Sequence, residues 1–590
     1  MKRLALTTII VLLFSLISTI TAASYTNVSV TEAKAMIDSN PSLVVLDVRT
    51  LSEYDSGHIR NTMHIPLAEL GGRLDELNVN DEFLVYCASG GRSASASQLL
   101  VDNGFLYIYN MLGGITAWIS AGYPVYIKYS SIQEALNNAS PGDTILVSAG
   151  IYYENVVVNK SLSLIGENSE TTLIDGNSIG NVMSITASNV NIMDFSVQNS
   201  ATAFKSGGIY MSSWGNNVSH NVVKNSLGVP EACGIWLDNS SHNTVYDNSI
   251  FSNGLAGIYL EDSSNNTISH NHVFSNPYEG IFLVSSHGNI ISGNNISSNM
   301  DVGIYLMGSE NNTVSYNDAI NNGIAIFLEG SDHNLVCYNN ASEFNVQSPT
   351  VGVGIYLRGS SYCTVSRNIA LNNTYGINVC LWSYENVISD NVFSHNDYGI
   401  ELAVYVANNT VRGNTVSKNN HGIYLADGGS NINIFFHNNF VDNLQNAEAH
   451  SPAIWDNGCE GNFWSNYNGT DLNGDGIGDT DLPWEGVDSY PLMNPYWNIG
   501  DIDHDLDVDI FDVVKCGIAY GSTPSDPNWN PHCDIAEPYG IVNIFDLVTI
   551  AGSYGDEYTS LANRNRSTIQ VDFVFLLLLQ KQLRFRFFEL

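Results

Sequence analysis

The chain has 590 residues, 44% of them apolar and 11% aromatic, which is enough to bury several cores, so a disordered polymer is excluded and more than one domain is expected. Its 59 Asp and Glu outweigh 21 Lys and Arg for a formal charge of -38. That balance disfavours nucleic-acid backbones and anionic lipid, and it suits divalent cations, cationic partners or a salty exterior. The eight cysteines show neither a CxxC nor a Cys/His zinc spacing, which excludes a disulfide-dense scaffold and a zinc module.

Residues 1–23 begin Met1-Lys2-Arg3, run apolar from Leu4 to Ile20 and finish on Thr21-Ala22-Ala23, the charged, apolar and small-residue pattern of a secretory signal cut after Ala23. The run is barely long enough to cross a bilayer, so an uncleaved anchor is the lesser reading and no stable membrane span is expected after cleavage. Acceptors of the form Asn-x-Ser/Thr, such as Asn159, Asn217, Asn295 and Asn468, agree with a glycosylatable exterior.

Between residues 28 and 128, the apolar runs Ser42 to Val48 and Glu82 to Tyr86 read as buried parallel strands, and Val30 to Ile37 and Ser93 to Val101 have helical periodicity. Strands alternating with helices predict an α/β domain. The loop Cys87-Ala88-Ser89-Gly90-Gly91-Arg92-Ser93 stands between a strand and a helix start. Small residues and two glycines let it curl so that several amides face one centre, a nest that favours a thiolate on Cys87, while Arg92 is placed to steer an oxyanion such as thiosulfate. The segments DVRTLSEYDSGHI (Asp47 to Ile59), HIPL (His64 to Leu67), YCASGGRS (Tyr86 to Ser93) and YNMLGGITAW (Tyr109 to Trp118) resemble the rhodanese family across Val28 to Tyr126. The resemblance implies a rhodanese fold and sulfane-sulfur transfer through a Cys87 persulfide. It assigns Ala88, Ser89, Gly90, Gly91 and Ser93 with Arg92 to the cradling loop, and Asp47 with Arg49 to its support. This chain has Asn61-Thr62 where the family usually shows Gly-Ala after the GHI triplet.

From residue 131 to 455 a Gly-Ile-aromatic triplet recurs at Gly208, Gly234, Gly257, Gly280, Gly303 and onward to Gly422, and a second marker, Asn-x-Val/Ile-x-x-Asn, keeps the same phase from Asn221 to Asn438. The dominant step is 23 residues. Units this short cannot bury a face alone, so stacked coils of short parallel strands are predicted, with the asparagines hydrogen-bonded along the stack. Ser131 to Asn159 resembles the N-terminal cap of pectin-lyase-like right-handed parallel β-helices. That likeness implies an all-β fold of the kind found in carbohydrate-binding and sugar-hydrolysing surface proteins. No catalytic carboxylate pair stands out, and the scattered acids, Glu279, Asp301 and Glu401 among them, read as solvated turn residues.

Residues 456–497 are expected to close the β-helix with an acidic loop in which Asp471, Asn473, Asp475 and Asp479 alternate around Gly476, a spacing that turns oxygens onto a calcium ion. In residues 500–557, Asp501, Asp503, Asp505, Asp509 and Asp512 hold positions 1, 3, 5, 9 and 12 of a second loop before an apolar helix start. A variant follows with Asp534, Glu537, Asn543 and Asp546 as weaker ligand candidates, and Cys516 and Cys533 either bridge or stay free. The duplicated loop and helix openings, Ile510-Phe511-Asp512 and Ile544-Phe545-Asp546, resemble a dockerin, which implies small calcium-bound helices docking onto a cohesin-like partner. Residues 558–590 read as a disordered tail. Taken together, the sequence predicts a modular surface protein of prokaryotic type, secreted, with a sulfurtransferase head, a β-helix scaffold binding polysaccharide and structural calcium. A purely adhesive protein with a vestigial head, and a β-helix polysaccharide lyase or hydrolase, are the alternatives.

Overall fold

A computed structural model describes residues 24–496 and 510–523 with Cys533, Val542 and Leu547, apart from 202–205, 227–231, 346, 349–350 and 427–431. The expected signal, the tail, and the calcium candidates Asp501, Asp503, Asp505, Asp509, Asp534, Glu537, Asn543 and Asp546 lie outside the described residues. Two compact units emerge: Met1–Leu335 with Phe344–Gly352, and Val336–Glu343 with Val353–Leu590.

The first unit opens with a five-stranded parallel sheet. Its strands are β1 (Thr26–Val28), β2 (Val44–Asp47), β3 (Met63–His64), β4 (Glu82–Tyr86) and β5 (Tyr107–Met111), in the order β1-β5-β4-β2-β3. Helices α1 (Val30–Ser39), α2 (Leu51–Asp55), α3 (Leu67–Leu70), α4 (Gly91–Asp102) and α5 (Gly114–Ser120) alternate with them. Strand β4 reads as one apolar run because both its faces are covered. Phe83 and Val85 join Leu46, Ile65, Leu70 and Leu100 in one core, whereas Leu84 and Tyr86 join Val45, Met111 and Trp118 in another. Helices α1 and α2 each start on a reciprocal capping box, Ser29 with Glu32 and Thr50 with Glu53.

No free linker follows. The Ile127 amide donates to the Leu146 carbonyl at 3.1 Å and Ser148 donates back to Ile127 at 2.9 Å, so the chain leaving the α/β sheet is already paired with the first coil. Helix α6 (Ile132–Asn138) buries Ile132 and Leu136, as the resemblance to a β-helix cap implies. Its free N-terminal amides at Ile132 and Gln133 donate to the Glu154 carboxylate at 2.6 and 3.1 Å.

Each following coil holds three short strands, for example Ala256–Glu261, Thr267–Ser269 and His272–Phe274. The next coil pairs with it in parallel at a step of 23: Ile258 with Ile281, Ile268 with Ile291, Val273 with Ile296. These side chains are fully buried and form the continuous core that the repeat predicts. The asparagine ladder exists and is threefold. One column runs Asn243, Asn266, Asn289, Asn312, Asn334, a second Asn248, Asn271, Asn294, Asn317, and a third Asn253, Asn276, Asn299, Asn322. Asn271 is typical: its side-chain amide donates to the Asn294 oxygen at 3.0 Å and to the Val245 carbonyl at 2.9 Å. A buried turn thereby satisfies its backbone without water. The aromatic member of the repeated triplet stacks likewise, Tyr259 on Phe282 at 5.3 Å, Phe282 on Tyr305 at 4.8 Å and Tyr305 on Phe327 at 4.7 Å.

The second unit repeats this architecture in strands Val353–Arg358, Tyr375–Cys380, Tyr398–Leu402, His421–Leu425 and Gln445–Ala449. Its coils extend past the expected limit of residue 455, because Phe463–Trp464 still pairs with Asn439 and Phe440. Trp464 stacks on Phe440 at 4.4 Å and on Trp484 at 4.0 Å, and its indole nitrogen donates to buried Asp488 at 2.8 Å. Farther on, helix Ile510–Ala519, which carries Asp512, brings Cys516 against Cys533 and Val542 in a small core.

Candidate active site around Cys87

Strand β4 ends at Tyr86 and hands Cys87 to a loop that turns into α4, with Gly90 in the left-handed region at φ 96°. A side chain at Gly90 would also press on the Gly113 nitrogen at 3.1 Å. The Gly90 amide donates to the Cys87 sulfur at 3.2 Å. Burial pushes the thiol up, but hydrogen bonds from the Ser93 hydroxyl and amide and from the Ser89 and Gly90 amides outweigh it, so Cys87 sits below the ordinary thiol value. Ser89, Gly90 and Ser93 thus turn hydrogen-bond donors onto the sulfur at the N-terminal end of a 12-residue helix, with Ala88 and Gly91 in the same turn.

Asp47 and Arg49 lie beneath. Asp47 is fully buried and accepts the Arg49 amide at 2.9 Å and its guanidinium at 2.6 to 3.0 Å. Arg49 also donates to the Gly57 carbonyl at 2.7 Å and lies over the Tyr86 ring at 5.5 Å. These contacts join β2, the end of α2 and β4, so the pair's part is to hold those elements together.

Arg92 differs from its sequence reading. Its guanidinium forms a two-pronged pair with Glu53 of α2 at 2.6 and 2.8 Å, both side chains about one-third exposed. Glu53 is held far below the carboxylate range by this pair, and Arg92 is raised. A donor oxyanion would therefore share Arg92 with Glu53. Sequence reasoning missed Glu53, although the spacing Thr50-x-x-Glu53 signalled a cap. It also missed the role of Gly114, whose φ is 55° and where a Cβ would lie 2.2 Å from the Cys87 carbonyl oxygen. That close approach lets Ile115 and Thr116 donate to the Cys87 and Ala88 carbonyls at 2.9 and 3.1 Å.

The first coils also contact this domain. His58 and Glu167 are buried and bonded at 2.9 Å, and the Glu167 carboxylate also accepts the Asn61 amide at 2.8 Å and the Ala149 amide at 2.9 Å. Arg60 adds a contact to Asp194 at 2.6 Å.

In the acidic loop the side chains are hydrogen-bonded within the loop itself. Asp471 accepts the Gly474 and Gly476 amides at 2.6 and 2.8 Å, Asp479 accepts Leu472 at 2.7 Å, and Asn473 and Asp475 bond each other at 2.9 Å. Among the described residues no three His, Cys, Asp or Glu side chains gather as a metal site. The solvated-turn reading fails for two acids. Glu279 is 8% exposed, its Oε2 has no hydrogen-bond partner, and burial with nearby Asp301 raises it to about 7. Burial also raises Glu401 to about 7.

Comparison with known proteins bears on both segments. Residues 29–121 match the rhodanese-like domain, and residues 136–348 and 323–469 match the family described as periplasmic copper-binding protein (NosD). The thiosulfate sulfurtransferase GlpE of Coxiella burnetii is 33% identical over 94 residues, 16% of this chain and 87% of that protein. A putative sulfur carrier protein of Bacillus subtilis, YrkF, is 40% identical over 97 residues, 16% of this chain; the match spans about half of that relative, 52%. Among solved structures, a rhodanese-related protein from Thermoplasma volcanium is 36% identical over 18% of this chain and 100% of its own, with a TM-score of 0.17. The Dettilon tailspike protein is 14% identical over 56% of this chain and 65% of its own, with a TM-score of 0.41. For copper, the described side chains do not fit: His421 and His450 each contact one oxygen of Glu448, at 3.1 and 3.0 Å, without a third ligand.

Proposed function

The chain belongs to the rhodanese family through its first domain and to the periplasmic copper-binding protein (NosD) family through its β-helix, and on that premise we propose an extracytoplasmic sulfurtransferase whose β-helix binds carbohydrate. The observation that carries the catalytic half is Cys87, a thiol held below its ordinary value by loop amides at a helix N-terminus. The Cys87 thiolate attacks the outer sulfur of thiosulfate. A bond forms between Sγ and that sulfur, the bond to the sulfonate sulfur breaks, and sulfite leaves with the electron pair. An acceptor thiolate or cyanide then attacks the outer sulfur of the persulfide, and Cys87 departs as thiolate again, so no external oxidant or reductant is needed. Loop amides stabilise the anionic persulfide. Arg92 meets the donor's oxygens only in competition with Glu53, and no step is drawn through copper.

The experiment uses the full-length reduced protein with thiosulfate and cyanide. Cys87→Ser should abolish thiocyanate formation, and mass spectrometry should find one extra sulfur on Cys87 of the parent. Absence of that persulfide with thiosulfate and with polysulfide refutes the enzyme reading and leaves the adhesive scaffold. Secretion, calcium at Asp471 to Asp479 and Asp501 to Asp512, and a cohesin-like partner belong to the same proposal and are supported by the sequence spacing. The family's periplasmic description agrees with the location, and among the described residues no helix is long and apolar enough to cross a membrane.

A further inference from the structure

In the coils of this β-helix, the residue just before a buried turn position takes a left-handed backbone. Asn239, Asp262 and Ser285 hold it at φ 47 to 48°, and Gly308, Gly330 and Gly359 at φ 55 to 59°. Each precedes a buried serine, Ser240, Ser263, Ser286, Ser309, Ser331 and Ser360. The choice of residue follows from sterics, since glycine, asparagine and aspartate tolerate this region and large side chains resist it. At this position two neighbouring coils carry aromatics instead, and large side chains take the same left-handed backbone at other turns as well, Tyr316, Tyr338 and Tyr362 among them. Trp382, before buried Ser383, has φ 65°, and Tyr405, before buried Val406, has φ 60°. The Trp382 coil also carries an extra residue, Leu381, itself left-handed at φ 48°.

Trp382 is 59% and Tyr405 47% exposed; Tyr316 and Tyr362 are exposed at left-handed positions too, and what sets this pair apart is that its rings lie parallel to each other. Outside the turn, aromatic rings of the repeat earn their place by stacking inside a half-buried column. Here the two rings are parallel within 2° and their centroids are 5.9 Å apart. At this centroid distance parallel rings are offset rather than directly face to face, which leaves part of each face uncovered. The pair is also rigid: the Leu381 amide donates to Val404 at 2.8 Å and the Trp382 amide to Tyr405 at 2.9 Å. Two exposed rings, parallel and held by a firm backbone ladder, make a fixed apolar surface open to water.

We propose that Trp382 and Tyr405 form the platform on which the β-helix binds a neutral polysaccharide, one sugar face per ring. This rests on the carbohydrate reading above and gives it a location. Sugar rings offer flat C–H faces to aromatic carbon and a rim of hydroxyls. The exposed Glu385 and Asn408, three residues beyond each ring, supply an acceptor and a mixed donor for that rim. The spacing of coils, about 4.8 Å, is close to the length of one sugar unit in a chain. A formal charge of -38 works against an anionic glycan or lipid surface. Two rings among polar neighbours also fall far short of the roughly 1,000 Å² that a stable protein interface buries.

The test is titration of the full-length protein with three soluble neutral glycans, a β-1,3-glucan, an α-glucan and a galactomannan, followed by calorimetry and tryptophan fluorescence, with polygalacturonate as the anionic control. At least one neutral glycan should bind, and Trp382→Gly or Tyr405→Gly should weaken it tenfold or more. Trp382→Tyr should keep part of the affinity. Glycine relieves the left-handed backbone, so the melting temperature of both glycine variants should hold or rise, which separates a binding role from a structural one. If a neutral glycan binds the Trp382→Gly, Tyr405→Gly double variant as well as the parent, this location is refuted while the carbohydrate reading stands. If the parent binds none of the three, both fall. Binding of polygalacturonate alone, or affinity lost only together with the melting transition, also overturns the platform.

Discussion

Glu279 should make the β-helix more stable in acid than in alkali, the reverse of the usual behaviour of protein carboxylates. Ala256 pairs with Glu279 in register, as Ile258 pairs with Ile281, so period-two alternation puts Glu279 on the core-facing side two residues ahead of Ile281. Burial, with Asp301 as the smaller cause, raises the acid from 4.5 to about 7. The folded chain thus holds the proton that the unfolded chain releases between pH 4.5 and 7, and stability falls as pH rises through that window and levels off above it. The full difference is about 3 kcal/mol. Hydrogen exchange at Ile281 and Leu283 reads this directly, with opening on the order of a hundredfold more frequent at pH 8 than at pH 5 after correction for intrinsic rates. Glu279→Gln should remove most of that slope. A parent protein whose corrected exchange is flat across the window, or a Gln variant with an unchanged slope, refutes the buried-acid reading.

Gly114→Ala should abolish sulfur transfer while Cys87 is still present, because the new methyl carbon falls 2.2 Å from the Cys87 carbonyl oxygen; normal kcat in this variant would show that the loop does not depend on that approach. Glu167→Ala should cost about 3–5 kcal/mol in chemical denaturation of the head, since it strands buried His58 with the Asn61 and Ala149 amides. Burial pushes Glu167 up, the His58 contacts outweigh it, and the acid ends below 4.5. Its contribution should therefore be complete above that value and be lost as pH falls through the lower folded one; a variant as stable as the parent at pH 7 would contradict it.

Much of the fold was legible because the determinants are local. Strands β2 and β4 and helices α1 and α4 follow from apolar runs and periodicity, and the coils from markers in phase. Two of the asparagine columns lie in the repeated Asn-x-Val/Ile-x-x-Asn marker, and the third did not stand out, since in so Asn-rich a chain a column without a second marker is lost in the background. The inward position of Glu279 was within reach of the alternation rule. It was obscured because an acid at a repeat edge reads as a turn. Trp382 and Tyr405 stand out only when the coils are aligned on the buried residue that follows the turn, where the backbone, rather than composition, defines equivalence. The Glu53 pairing with Arg92 and the Glu167 pairing with His58 span 39 and 109 residues, and no local pattern encodes such distances.

The departure at Asn61-Thr62 gains its meaning from the same long-range contact. Asn61 is left-handed at φ 55°, a conformation asparagine accepts almost as glycine does, and its amide is thereby aimed at Glu167. Thr62 folds its hydroxyl back onto the Ile59 carbonyl at 2.7 Å, which closes the turn. Helix α2 lies between this joint and the sulfur loop. Tyr54 stacks on His58 at 3.7 Å, and its neighbour Glu53 grips Arg92. One short helix therefore contacts both His58, which reaches the β-helix through Glu167, and Arg92 of the sulfur loop. A head cut at Tyr126 would lose Glu167 and expose the buried His58, so sulfur transfer is a property to be measured in the whole chain.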